Sequence, residues 1–109
     1  MRALLAALAL ACLTGCVTPL YDWGSYEDSV LVTQGEFLDV DVIAEIETFE
    51  QHIDELRQRD EHPGPGVHAH VGYLHYTVGN SDAALRHFQA EKAFYPESTR
   101  FMDMLIGRL

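Results

Sequence analysis

The apolar positions between residues 41 and 60 have the spacing of an amphipathic helix. They lie four, three, four and three residues apart and so share one face: Val42, Ile46, Phe49, Ile53 and Leu56. Asp39 or Asp41 can cap the start of this helix, and Arg57 and Arg59 lie in its last turn, where the helix dipole favours cations. A run of prolines and glycines from residue 62 to 66 then ends it.

Three further helices are predicted in the second half of the chain. One begins near Gly66 with apolar residues at helical spacing and stops at Gly79-Asn80, where Gly suits the left-handed cap and Asn80 can cap the next helix. The next covers about residues 81 to 94, and the last about residues 97 to 108 after Pro96. The inward residues are predicted to be Val67, Val71, Leu74 and Val78, then Ala84, Leu85 and Phe88, then Phe101, Leu105 and Leu109 with Met102 and Ile106 beside them.

The pair of helices between Gly66 and Pro96 resembles a tetratricopeptide repeat, a 34-residue motif of paired antiparallel helices. Two positions depart from it, since His68 replaces a large aromatic residue and Glu91 a small one. Only one repeat is visible, so the first and last helices would flank it. The positions that match are Gly72, Tyr76, Gly79, Ala84, Phe88 and Pro96.

The chain begins like a secretory signal peptide, with Met1-Arg2 followed by an apolar run that is too short for a permanent membrane span. Leu13-Thr14-Gly15-Cys16 resembles a bacterial lipobox, which implies cleavage before Cys16 and attachment of lipid, palmitate included, to that residue. Val17 instead of Asp then implies an outer-membrane anchor facing the periplasm. The alternative is an ordinary signal peptide. Because Cys12 would leave with the leader, the mature chain would have neither a free thiol nor a disulfide.

Residues 16 to 37 form a separate N-terminal segment that is acidic and rich in aromatic residues. A plain tether would be poor in aromatics, so we expect this segment to pack on something, either the core of the domain itself or a partner. Val30-Leu31-Val32-Thr33 is predicted to be a short extended piece. The aromatic residues are Tyr21, Trp23, Tyr26 and Phe37.

The net charge of -10 argues against binding to nucleic acid, which needs a basic surface. The excess of acidic residues lies between residues 22 and 61, which hold 13 acidic and two basic side chains, whereas residues 62 to 109 are neutral overall. The acidic half predicts a solvated face and tether, with a docking surface for a basic partner as the alternative. With 109 residues, the chain has room for one domain at most.

No pattern typical of catalysis is visible: there is no nucleophile elbow, phosphate-binding glycine loop or cofactor signature. We therefore expect no enzymatic activity, no cofactor and no metal. The six histidines are predicted to be packing residues. A metal-binding protein remains an alternative. His68 and His75 lie seven residues apart on one face of the second helix, whereas His68 and His70 diverge, so a shared site would need help from His52, His62 or His87 in the fold.

The whole mature chain is similar to a family of small Gram-negative lipoproteins, domain of unknown function family 4810. That resemblance implies a place beside other envelope lipoproteins, including pore-forming ones of the curli-secretion type, and no established activity. The blocks that carry it are Cys16, Tyr21-Asp22-Trp23-Gly24-Ser25-Tyr26-Glu27, Pro65-Gly66-Val67-His68-Ala69-His70-Val71-Gly72-Tyr73-Leu74, and Glu91-Lys92-Ala93-Phe94-Tyr95-Pro96-Glu97-Ser98 with Phe101-Met102-Asp103.

The sequence thus predicts an all-α protein: a signal peptide over residues 1–15, a lipid-anchored segment over 16–37, and a domain of about four helices over 38–109. The expected function is that of a non-enzymatic adaptor or assembly factor in an envelope transport or secretion complex. The alternatives are a pilotin-like chaperone for an outer-membrane pore and a histidine-based periplasmic metal-binding protein. Expected partners are the membrane, other envelope lipoproteins or a pore protein, with self-association as a further option. The expected contact residues are Trp23, Tyr26, His68, His70, Tyr73 and Tyr76.

Overall fold

A computed structural model describes Met1, residues 19–34 and residues 41–109, and within these ranges the regular secondary structure is entirely helical. The predicted signal peptide beyond Met1, the predicted lipobox with Cys16, and Phe37 lie outside the described residues. The described residues form five α-helices, with a short 3-10 turn at Pro96–Ser98 before the last of them. They are α1 (Tyr26–Gln34), α2 (Val42–Gln58), α3 (Val67–Thr77), α4 (Ser81–Phe94) and α5 (Thr99–Ile106). The all-α prediction is confirmed.

The four predicted helices correspond to α2 to α5, and the caps agree with the sequence. Asp41 precedes α2 and accepts hydrogen bonds from the backbone N–H groups of Ile43 and Ala44, each at 3.1 Å. Asn80 accepts one from Ala83 at the start of α4, and Gly79 before it has φ +80°. The last helix is shorter than predicted, because the chain forms the 3-10 turn first.

The extended piece predicted at Val30 to Thr33 is wrong, since these residues belong to α1. Branched side chains such as Val30 favour a strand locally. Here the chain turns into a helix at its start, where Tyr26 N–H donates to the Trp23 carbonyl and Ser29 N–H donates to the Ser25 carbonyl. Helical spacing then turns Tyr26 and the buried Ser29 towards the rest of the domain, so tertiary packing overrides the local preference.

The larger part of the core lies between α2 and α3. Trp23, Tyr26 and Val42 cover it from outside, which confirms that two aromatics of the N-terminal segment pack on the domain's own core. Its buried members are Ile46, Phe49, Ile53, Val67, Val71 and Leu74.

A second, smaller core joins α4 and α5 through Ala84, Phe88 and Met102. On α5 it is Met102 that is fully buried, whereas Phe101 and Leu109 are exposed. The inward placement predicted for those two residues is therefore wrong, because the rotation of α5 turns Met102 towards α4 instead. The inward placement predicted for Val78 is also wrong: this residue lies just beyond the last residue of α3 and is 42 % exposed.

The close crossing of α3 and α4 depends on Gly72. A Cβ atom placed there would lie 2.6 Å from the Phe88 ring and 3.2 Å from the Ala84 carbonyl oxygen. Gly72, one of the positions that match the repeat, is thus a residue that lets the two helices approach.

Candidate functional site

Four polar side chains from three helices meet beside the core. Glu50 comes from α2, His68 and His75 from α3, and His87 from α4. His68 and His75 are seven residues apart and so lie two turns from each other on one face. The imidazole of His87 fills the space between them, with its ring centroid 5.2 Å from that of His68 and 5.4 Å from that of His75. We call these four residues the histidine cluster.

One carboxylate oxygen of Glu50 contacts two histidines of the cluster. Glu50 Oε1 lies 2.9 Å from His75 Nε2 and 2.6 Å from His87 Nε2. On the other side of its ring, His87 Nδ1 lies 2.9 Å from His68 Nδ1. The hydrogen bonds therefore run in a chain from His75 through Glu50 and His87 to His68.

Burial sets the charge of the cluster. Burial, with a further contribution from His87, lowers the pKa of His68 to about 4. Burial also lowers the pKa of His87, although the hydrogen bond and charge of Glu50 oppose this. For Glu50, burial raises the pKa, but hydrogen bonds from His75 and His87 outweigh it and hold the pKa below its ordinary value. At neutral pH the cluster therefore contains a carboxylate next to the neutral imidazole rings of His68 and His87.

The cluster has the donors of a transition-metal site. One ligand atom each from Glu50, His75 and His87 can be chosen such that all three lie within 4.8 Å of one another. Neutral imidazole and carboxylate are ligands that Zn²⁺ and related ions take in proteins. Sequence spacing indicated only the pair on α3, and no local pattern linked it to Glu50 or His87.

A second feature is an apolar groove of about 570 Å³ that runs between α1, α3 and α5. Its rim carries large side chains with much of their surface in solvent: Tyr73 is 47 % exposed, Phe101 56 % and Met104 46 %. Leu105 and Arg108 complete this side of the groove. Both residues also line a smaller cavity beside Tyr76 and Leu109. Exposed apolar groups that adjoin one another in this way mark interaction sites more often than scattered ones do.

The residues predicted to contact a partner occupy different environments. Tyr73 and Tyr76 are exposed, and Tyr73 lines the groove. His68 and His70 are only 6 % and 9 % exposed, so nearly all of their surface faces neighbours in the same chain. Partner contact stays a prediction, for which these two histidines offer little surface.

The remaining two predicted residues, Trp23 and Tyr26, are half-buried. Their rings stack with centroids 5.5 Å apart, and Trp23 lies over Gly64 so closely that a Cβ there would be 2.7 Å from its ring. Tyr26 in turn meets His70 edge to face at 5.6 Å. Both aromatic rings are thus engaged within the chain.

A polar clamp holds the N-terminal segment on α2. Arg59 donates to the Asp22 carboxylate at 3.1 Å, and His52 Nε2 lies 3.0 Å from the Asp22 backbone carbonyl. The hydrogen bonds from Arg59 and from the Gly24 backbone lower the pKa of Asp22. The segment is therefore fixed to the domain at both its aromatic and its acidic residues.

Comparison with protein families gives a match over residues 20–105 to the model of a domain of unknown function, DUF4810. The chain belongs to this family. The match includes α1 to α5 up to Leu105, and so covers the histidine cluster and most of the groove of this DUF4810 protein. Neither the curated proteins nor the solved structures gave a match. Within the described residues, no helix has the length and apolar character needed to cross a membrane.

Proposed function

We propose that this DUF4810 protein is an outer-membrane lipoprotein, anchored through lipid on Cys16, that acts as a non-enzymatic adaptor in a cell-envelope transport or secretion complex. The observation that carries the adaptor role is the apolar groove with Tyr73, Phe101 and Met104 exposed along it. A groove of this kind suits an amphipathic helix, which lays its apolar face against the exposed side chains.

The architecture around the groove supports this proposal. Helices α3 and α4 cross closely at Gly72 and Phe88, two of the positions that carry the resemblance to a tetratricopeptide repeat. Repeats of that kind commonly present concave binding surfaces. Arg108 at the rim favours an acidic residue on the bound helix. We therefore propose as partner an amphipathic helix of another envelope protein, with acidic residues beside its apolar face.

Site-specific photo-crosslinking in cells tests the groove. A photoreactive amino acid at position 101 or 104 should give a discrete adduct with one envelope protein, whereas the same probe at the exposed Gln89 on α4 should give none. Met104→Glu should abolish the adduct formed from position 101 without unfolding the protein, since Met104 is exposed. Adducts with a second copy of the chain alone, or none at all, would reject the adaptor role.

A pilotin-like chaperone would use the same groove but act earlier. If the crosslinked partner is a pore protein, deletion of the DUF4810 protein separates the two roles. If the protein is a chaperone, its deletion should keep the pore from reaching the outer membrane. If it is an adaptor, its deletion should leave the pore in place but remove the activity of the complex. Fractionation of inner and outer membranes gives the answer.

The lipid anchor has its own test. Cells grown with labelled palmitate should transfer the label to the wild-type protein and to Cys12→Ala, but not to Cys16→Ala. Cys12 is the matched control, because it lies in the same leader and would be removed by cleavage. Equal labelling of all three proteins would rule out attachment at Cys16.

A further inference from the structure

We propose that Glu50, His75 and His87 form a binding site for a divalent transition-metal ion of the zinc class. The argument starts from position: the three side chains come from three different helices, yet one ligand atom from each falls within 4.8 Å of the others. A set of two imidazoles and one carboxylate is a recurrent zinc site with three protein ligands and an open fourth position.

Burial restricts the movement of the imidazole rings of His75 and His87. The side chains of His75 and His87 are 10 % and 11 % exposed, so their rings have little freedom to turn away. Both present Nε2 to the same oxygen of Glu50, at 2.9 Å and 2.6 Å. An ion bound by these three atoms would replace the two hydrogen bonds by coordination bonds once the side chains part to the wider spacing of tetrahedral ligands.

Access comes from the side of Glu50. Its side chain is 42 % exposed, so water reaches the carboxylate although the histidines are buried. A bound ion would thus have solvent on one side, and a water molecule can fill its fourth position. Glu50 also belongs to the acidic half of the chain, where thirteen acidic side chains between residues 22 and 61 attract cations.

His68 acts as the supporting residue. A metal-bound imidazole usually donates its other ring N–H to a neighbouring acceptor, which fixes the ring. His87 has such a neighbour, because its Nδ1 lies 2.9 Å from His68 Nδ1. A neutral imidazole has one donor and one acceptor nitrogen, so His68 can donate to His87 in the metal-free protein and accept from it once Nε2 of His87 holds the ion. His68 is stacked in turn on Phe94, with ring centroids 5.9 Å apart.

Calorimetric titration of the full-length protein in detergent with ZnCl₂ tests the site, using protein without a histidine tag. We expect one ion per chain, bound more than about 100-fold more weakly by His75→Ala and by His87→Ala, because even supporting residues of metal sites contribute 10- to 100-fold. His68→Phe should weaken binding about 10- to 100-fold, as expected of a supporting residue. His62→Ala is the matched control: this exposed histidine is stacked on Phe94 beside the cluster and should leave affinity unchanged.

Glu50→Gln keeps the result interpretable if the alanine variants unfold. It preserves the size of the side chain and an oxygen that can accept from a histidine, and its site is partly exposed, so the fold should survive while zinc affinity falls more than about 10-fold. Co²⁺ should give the visible spectrum of a four-coordinate ion in the wild type and lose it in Glu50→Gln. Absence of zinc binding by the folded wild type, or binding that Glu50→Gln and His87→Ala leave unchanged, would overturn the proposal. Loss of binding in His62→Ala instead would place the ion elsewhere and overturn it too.

Discussion

The carboxylate of Glu91, on α4, accepts a hydrogen bond from the backbone N–H of Gly66 at 2.8 Å, at the point where α3 begins. Glu91 is 2 % exposed and stands where the resemblance to a tetratricopeptide repeat predicts a small residue. Gly66, with φ +95°, has no side-chain cap of its own. Glu91, on α4, therefore supplies the cap that Gly66 cannot provide at the start of α3. The positive end of the dipole of α3 favours an acidic group at this position.

We expect Glu91→Ala to destabilise the protein by about 1–3 kcal/mol, because it leaves the Gly66 N–H without its acceptor. Glu91→Gln should cost much less, since its amide oxygen can still accept. Burial raises the pKa of Glu91, so the amide also avoids the cost of a buried charge. Urea unfolding of the three proteins at pH 7 measures the difference. Equal destabilisation by Ala and Gln would contradict a capping role for the oxygen.

Stability should fall as the pH is lowered from about 6.5 to about 4. Burial holds the pKa of His68 at about 4 in the folded protein, whereas the unfolded chain has the ordinary value of 6.5. Between these two values the unfolded state binds more protons than the folded state, so protonation favours unfolding. Once the pH is below both pKa values, this difference in pKa lowers the free energy of unfolding by roughly 3 kcal/mol.

Denaturant midpoints measured across this pH range provide the check. His68→Phe should reduce the loss of stability between pH 6.5 and 4, whereas His62→Phe, at an exposed position, should leave it as in the wild type. The loss should not vanish in His68→Phe, since burial also lowers the pKa of His70 and of His87. A flat profile in the wild type would argue against burial of these rings.

Gly72→Ala should destabilise the protein by about 1–3 kcal/mol, the usual cost of adding a methyl group to a packed interior. The new Cβ would lie 2.6 Å from the Phe88 ring and 3.2 Å from a carbonyl oxygen of α4, so ring movement alone does not relieve the contact. Gly107→Ala is the control, because its nearest neighbours are 3.5 Å away or more. Thermal unfolding followed by circular dichroism compares the two variants. A Gly72→Ala protein as stable as the wild type would show that α3 and α4 do not cross this closely.

Zinc should raise the melting temperature of the wild type if the proposed site exists, since an ion that binds the folded state alone stabilises it by mass action. At a free concentration 100 times the dissociation constant the gain is about 2.7 kcal/mol. A chelator should reverse the shift, and Glu50→Gln should not respond to zinc. An equal shift in both proteins would assign the effect to ions bound at other acidic groups.

Local signals in the sequence determined the helices and their caps. The stripe from Val42 to Leu56, the cap at Asp41 and the turn at Gly79-Asn80 each follow from residues close together in the chain, and all were predicted correctly. The small residue at Gly72 is one of the positions that match the resemblance to a tetratricopeptide repeat, and it lies where α3 and α4 cross closely.

Tertiary structure determined which side chains of different helices contact one another. α1 is helical because Tyr26 and Ser29 pack on the rest of the domain, a contact that no local preference encodes. The histidine cluster unites Glu50 with His87, which is 37 residues away in sequence, and the exposure of Phe101 depends on the rotation of α5. Helical periodicity identifies an apolar face but not its neighbour, since that depends on distances between helices that only packing of the whole chain fixes.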